Sequence, residues 1–251
     1  RLNNIFSGKA TRNAAGVNTG IQFVLAQYNP AGELMDEPGI NRVTVEEVTE
    51  GTPPDKYHRF LSQNNAIWPH EKYLNIWLMS ETKYPKFWNS ITKLCVPKYR
   101  LGSETLPGLS LPPVPSTWVP KVEQIGILFR MSTFQYFQRS IDATAERELV
   151  TCIGNYLGLL DTWKINNSNV NDQCNDTFAY GIVNNNGSLG TNSSWSKEVG
   201  SYRFLSENIM DDPTGTHRSV SKDQALRMYW VLKNCAGRSM WQSDFALTGK
   251  E

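Results

Sequence analysis

The segment Glu148-Leu149-Val150-Thr151-Cys152-Ile153-Gly154-Asn155-Tyr156-Leu157-Gly158-Leu159-Leu160-Asp161-Thr162-Trp163 decides the reading of the whole chain. Within the stretch from Thr144 to Leu160, Leu149, Ile153, Tyr156, Leu157 and Leu160 fall on one helical face. Asp142 or Thr144 can cap the start, and Glu146 and Glu148 suit the positive end of the helix dipole. This is the strongest helix signal in the chain, with Gly158 placed to end it in a sharp turn.

A zinc protease of the metzincin clan carries H-E-x-x-H-x-x-G-x-x-H on such a helix. Two histidines one turn apart share a face and bind one zinc, and the glutamate takes the proton from the zinc-bound water. The glycine turns the chain so that a third histidine reaches the metal. Here Gly154-Asn155-Tyr156-Leu157-Gly158-Leu159-Leu160-Asp161-Thr162-Trp163 resembles the pappalysin family's continuation G-H-Y-L-G-L-x-H-T-F. The scaffold letters match and the chemical letters do not. Through this resemblance Thr151 stands at the first ligand position, Cys152 at the general base, Asn155 at the second ligand and Asp161 at the third.

Further stretches follow in the family's order. Asp172-Gln173-Cys174-Asn175-Asp176-Thr177 is similar to its Cys-containing loop after the helix, and Asn208-Ile209-Met210-Asp211 to its Met-turn. Ser221–Leu232, with Gln224, Arg227 and Met228, resembles its closing helix, while Val17–Phe23 and Gly39–Arg42 are fainter echoes. The resemblance implies one zincin-like (metzincin) α/β domain. A twisted mixed sheet of four or five strands and the active-site-type helix make an N-terminal lobe, about 1–160, and an irregular C-terminal lobe covers about 161–251.

The implied function is a pseudoprotease that binds a peptide, protein or glycan in a residual cleft. Threonine is a poor zinc ligand, a neutral asparagine is rarely one, and Asp161 alone does not hold the metal. No catalytic residue and no cofactor are therefore expected, with zinc returning only if the ligand reading is wrong. Calcium is conceivable through Asp172, Asp176, Asp211 and Asp212, although solvated loop carboxylates are the plainer reading. Two alternatives stand beside it. One is an active peptidase or hydrolase rebuilt around Asp161, Cys152 or His217; the other is a structural or adhesive domain of a surface protein.

None of the three histidines, His58, His70 and His217, is paired at ligand spacing, since Leu74 breaks the pattern begun by His70-Glu71. Cys152 has no histidine within ten residues, so a small buried thiol is the plainer reading than a nucleophile. The four cysteines, Cys95, Cys152, Cys174 and Cys235, are too far apart for a metal knuckle, and their pairing is open.

The 25 basic and 24 acidic side chains give a formal net charge of +1, with no basic stripe of the kind nucleic acid requires. No apolar run is long enough to span a bilayer. The family resemblance implies an extracellular, periplasmic or cell-surface protein, secreted or held by a lipid anchor upstream.

Elsewhere the pattern predicts the end of a helix over 1–8, strands over 21–25 and 40–45, and a turn at Asn29–Gly32. Tyr73–Met79 and Val122–Arg130 read as strands, Pro85–Leu94 as a short helix, and the five prolines between Leu106 and Pro120 exclude helix. Nine asparagines make Ile165–Trp195 irregular, and its sequons at Asn166, Asn175, Asn186 and Asn192 are read as chance. A last helix begins at Ser221, where Ser221 and Gln224 have capping-box spacing, with Leu226, Tyr229 and Leu232 facing inward.

Overall fold

The computed structural model describes residues 1–43, 61, 65–79, 93–96, 126–130, 144–165, 171–182, 196–199, 202–212 and 215–250. The chain enters through helix α1 (Leu2–Phe6), which buries Ile5 and Phe6. The following segment does not form the strand predicted over 21–25. Ile21 and Phe23 do pack on the core, but Leu25 is 64% exposed, and the backbone pairs with a side chain rather than a ladder. The Asn3 amide accepts from the Phe23 N–H at 2.8 Å and donates to the Phe23 carbonyl at 2.9 Å. Phe23 then meets Phe6 edge-on, ring centroids 5.0 Å apart. The turn after Tyr28 forms as read, with the Gly32 N–H on the Asn29 carbonyl at 2.9 Å. Residues 40–43 are not strand, and 44–45 lie outside the described residues.

Three strands form a mixed sheet in the order β1-β3-β2: β1 (Ile76–Met79), β2 (Lys93–Val96) and β3 (Gly126–Arg130). β1 runs parallel to β3, with Ile76 opposite Ile127, and β2 runs antiparallel to it, with Cys95 opposite Ile127. Strand β2 corrects the helix predicted over 85–94, since Leu94 lies in a ladder opposite Leu128. Residues 81–92, and the proline-rich stretch, lie outside the described residues. Within β1 the buried side chain is Trp77, while Ile76 and Leu78 are each 37% exposed.

Helix α2 (Thr144–Tyr156) packs on β2 and β3 and supplies Val150, Ile153 and Tyr156 to the core. There they meet Ile5, Phe6, Ile127, Ile209, Val220 and Met228. Each such side chain contributes roughly 1.5–3 kcal/mol on burial. Strand β4 (Trp163–Ile165) pairs in parallel with β5 (Tyr180–Ile182), and β6 (Ser196–Val199) pairs antiparallel with β7 (Tyr202–Leu205).

Helix α3 (Lys222–Asn234) starts at the capping box that its sequence announces, with both reciprocal bonds between Ser221 and Gln224 formed. Its inward face, however, is not wholly the predicted one. Leu232 packs on the core as predicted, but Leu226 and Tyr229 are about half exposed, while Ala225, Arg227, Met228 and Val231 are buried. The aliphatic period misleads here because a buried arginine occupies the inner face, bonded to the distant Gly158 carbonyl. A 3-10 helix (Ala236–Gln242) and the short helix α4 (Phe245–Thr248) complete the chain.

Candidate functional site

Helix α2 ends as its sequence requires. The Leu159 N–H reaches back to the Gly154 carbonyl at 2.9 Å and the Gly158 N–H to the Asn155 carbonyl at 3.0 Å. This is the Schellman pattern, with Gly158 in the left-handed region at φ +87°. A Cβ at Gly158 would also lie 2.5 Å from Val231 Cγ2, so both backbone and space demand glycine. Two buried arginines close over this end. Arg227 Nε donates to the Gly158 carbonyl at 2.7 Å, and Arg238 Nε to the Tyr156 carbonyl at 2.9 Å.

The turn Asn208–Asp211 lies directly beneath the helix. Met210 is fully buried, and its sulfur sits 2.5 Å from where a Cβ on Gly154 would be, so Gly154 is what admits it. Asn208 shapes the turn by accepting from the Met210 N–H at 2.9 Å and exchanging two 2.9 Å bonds with the Gln224 amide. Two threonines pin its successive carbonyls. Thr151 Oγ1 donates to the Ile209 carbonyl at 2.9 Å, and Thr162 donates to the Met210 carbonyl from both N (3.1 Å) and Oγ1 (3.2 Å).

The residues singled out from the sequence are thus gathered on one helix, its terminal turn and the turn below. Thr151 and Asn155, one helical turn apart, are both under 10% exposed. Asn155 Nδ2 donates to the Thr151 carbonyl at 3.2 Å, and its buried Oδ1 has no partner among the described residues. Cys152 is completely buried, and Asp161 is half-buried on the turn between the helix and Thr162.

The zinc implied by the motif's spacing does not fit this donor set. Thr151 commits its hydroxyl proton to a main-chain carbonyl, and Asn155 commits its Nδ2 to its own helix. Neither offers the imidazole or thiolate that zinc selects. Among the described residues no group of three His, Cys, Asp or Glu side chains is arranged to hold a metal.

His217 lies 2% exposed at φ +50°, close to the turn. Its Nδ1 faces the Gly215 carbonyl and its Nε2 the Asp211 carbonyl, each at 2.9 Å, and the neutral ring donates to one of the two. Burial pushes its pKa down, against the pull of those two carbonyls and the Asp211 carboxylate. His70 sits 3.4 Å from Glu71, and His58 lies outside the described residues.

The four aspartates considered for calcium serve separate local roles. Asp172 accepts from Thr177 Oγ1 at 2.5 Å. Asp176 accepts from Ser221 Oγ at 2.6 Å and from the Asp223 N–H at 2.9 Å, docking its loop on the start of α3. Asp211 and Asp212 both take the Tyr180 hydroxyl, the latter at 2.6 Å. Burial, and then the two carboxylates, push the tyrosine pKa far up. Sequence reasoning missed Tyr180, Arg238 and Arg147, whose Nη1 donates to the Gly215 carbonyl at 3.1 Å, because their partners lie tens of residues away. Cys174 is a free, buried thiol whose pKa is raised by desolvation and then by Asp172.

No family model and no curated protein matches the chain. Solved structures do. Mature mirolysin of Tannerella forsythia, in complex with a cleaved peptide, aligns with a TM-score of 0.62 at 20% sequence identity, over 100% of this chain and 88% of that one. A promirolysin mutant from the same organism aligns with a TM-score of 0.58 at 20% identity, over 98% and 75%. Mirolysin is a pappalysin-like metalloprotease of the metzincin type, and this chain shares its zincin-like fold.

Proposed function

We propose that this protein is a catalytically silent relative of the pappalysin-like metalloproteases, one that keeps their fold to bind a peptide, protein or glycan. The observation that carries this reading is the state of Thr151 and Asn155. Both side chains are buried, with Thr151 Oγ1 and Asn155 Nδ2 donating to main chain, at the two positions where a metzincin helix presents its first zinc ligands. Loss of the base at Cys152 and the carbonyl-bound ring of His217 point the same way. The scaffold around them is intact: the Schellman turn at Gly158, the Met-turn under Gly154 and the capped closing helix.

A rebuilt hydrolase would draw on Cys152, Asp161 or His217. The first is completely buried and the third has both ring nitrogens facing carbonyl oxygens, so the rebuilt site finds little support. We place the protein outside the cytoplasm, secreted or anchored to a cell surface, by analogy with the fold relatives. No helix among the described residues is long and apolar enough to cross a membrane.

Incubation with a quenched-fluorescent peptide library, with added zinc and then with chelator, tests the proposal. No chelator-sensitive cleavage is expected. Zinc-dependent cleavage that disappears with chelator would end it.

A further inference from the structure

A concavity lies between the N-terminal segment and residues 65–69. Residues from 29–42 and 65–69 line an open groove of about 690 Å3, within the size range of ligand sites. None of its lining residues belongs to helix α2 or to the turn at Met210. On one wall the main chain of Trp68 is clamped by the buried Asn75. Asn75 Oδ1 accepts from the Trp68 N–H at 3.0 Å and Nδ2 donates to the Trp68 carbonyl at 2.8 Å. The indole also packs edge-on against Tyr73, centroids 4.8 Å apart, which fixes it before any ligand arrives. Leu34 and Ile40, 68% and 48% exposed, supply further apolar surface to the groove.

Charge gives the groove its sign. Its lining holds Glu33, Asp36 and Glu37 against one cation, Arg42. That cation is already committed, with Nε 2.5 Å from Glu37 Oε2 and Nη2 3.0 Å from Oε1. Glu33 spends one oxygen on Asn29 Nδ2 at 2.8 Å, and Asp36 has no hydrogen-bond or ion-pair partner among the described residues. Two carboxylates therefore stand uncompensated among the described residues, beside the exposed Leu34 and Ile40 and the half-buried Trp68.

We propose that this groove docks an extended peptide segment of a partner protein in which lysine or arginine sits next to apolar residues. Glu33 and Asp36 take the cation, and Leu34, Ile40 and Trp68 take the apolar side chains. An anionic or uniformly polar segment gains neither contact and is repelled or indifferent. The site is separate from the helix on which the proposed function rests, so the two stand or fall independently.

The test is fluorescence anisotropy of the full chain with a labelled, acetylated octapeptide of alternating leucine and lysine. Leucine–glutamate and serine–lysine octapeptides serve as controls. The expected result is saturable binding of the leucine–lysine peptide, weaker binding of the serine–lysine peptide and none of the leucine–glutamate peptide. The double substitution Glu33→Gln/Asp36→Asn is expected to weaken binding by about fivefold, the scale of two exposed charge contacts. Because both positions are exposed, an unchanged melting temperature will verify that the variant folds. Absence of saturable binding, equal binding of the leucine–glutamate peptide, or an affinity unmoved by the double substitution overturns the proposal. Zinc-dependent peptidase activity would overturn the function proposed above and leave this one standing.

Discussion

Arg227 Nε donates to the carbonyl oxygen of Gly158 at 2.7 Å, tying the closing helix α3 to the turn that ends helix α2. The arginine is 1% exposed, so its guanidinium lies out of water and depends on such carbonyls for compensation. Replacement of Arg227 by Met removes the donor and leaves the Gly158 carbonyl short of a partner. We expect a loss of about 2–4 kcal/mol by urea denaturation. Arg227→Lys should recover only part of it, because an ammonium lacks the planar fork.

The other side of the same turn is steric. Gly158→Ala places a Cβ at φ +87° and 2.5 Å from Val231 Cγ2. Left-handed strain and overpacking together should cost about 2–4 kcal/mol. Val231→Ala in the same chain should relieve part of that loss, read as non-additivity in a double-mutant cycle.

Gly154 and Met210 form a second coupled pair, since the methionine sulfur occupies the space of the missing Cβ. Gly154→Ala alone is expected to destabilise, and Met210→Ala alone to cost about 2–5 kcal/mol as a cavity. The double variant should be more stable than the sum of the two predicts. Strict additivity would mean that the turn does not press on the helix.

How much of this was legible in the sequence depends on the range of each interaction. The core face of α2, its glycine stop and the Ser221–Gln224 box are local signals, and each formed where the pattern put it. The inward face of α3 was misread at Leu226 and Tyr229 because Arg227 and Gln224 are buried against carbonyl and amide partners on Gly158 and Asn208, which no periodicity encodes. Likewise Ile21 and Phe23 announced an alternating segment, but not that Asn3 rather than a strand would take its backbone. The Tyr180–Asp211–Asp212 contact joins positions about thirty residues apart. Only the adjacent aspartates were visible beforehand.

His217 gives the fold a pH dependence of known sign. Burial lowers its pKa below the ordinary 6.5, so in that window the unfolded chain binds the proton and the folded chain does not. Stability contributed by the neutral ring is full above about pH 6.5 and falls as the pH drops below it. The limiting slope for one proton is about 1.4 kcal/mol per pH unit. Urea midpoints measured from pH 7.5 to 5 should decline, and His217→Gln should flatten the decline relative to its own value at pH 7.5.

The ligand correspondence can be probed by putting the chemistry back. Thr151→His, Cys152→Glu, Asn155→His and Asp161→His, combined, rebuild the motif on the existing helix and turn. The combined variant is expected to take up about one zinc per chain. A folded variant that takes up none would show that these positions do not converge.

The central claim is that the unmodified chain holds no zinc, and elemental analysis of the purified protein after dialysis against trace zinc tests it most directly. The account predicts a stoichiometry near zero, because Thr151 and Asn155 offer neither imidazole nor thiolate, and Thr151 Oγ1 and Asn155 Nδ2 are spent on main-chain carbonyls. A stoichiometry near one zinc per chain would contradict it and restore a metalloprotease as the first reading.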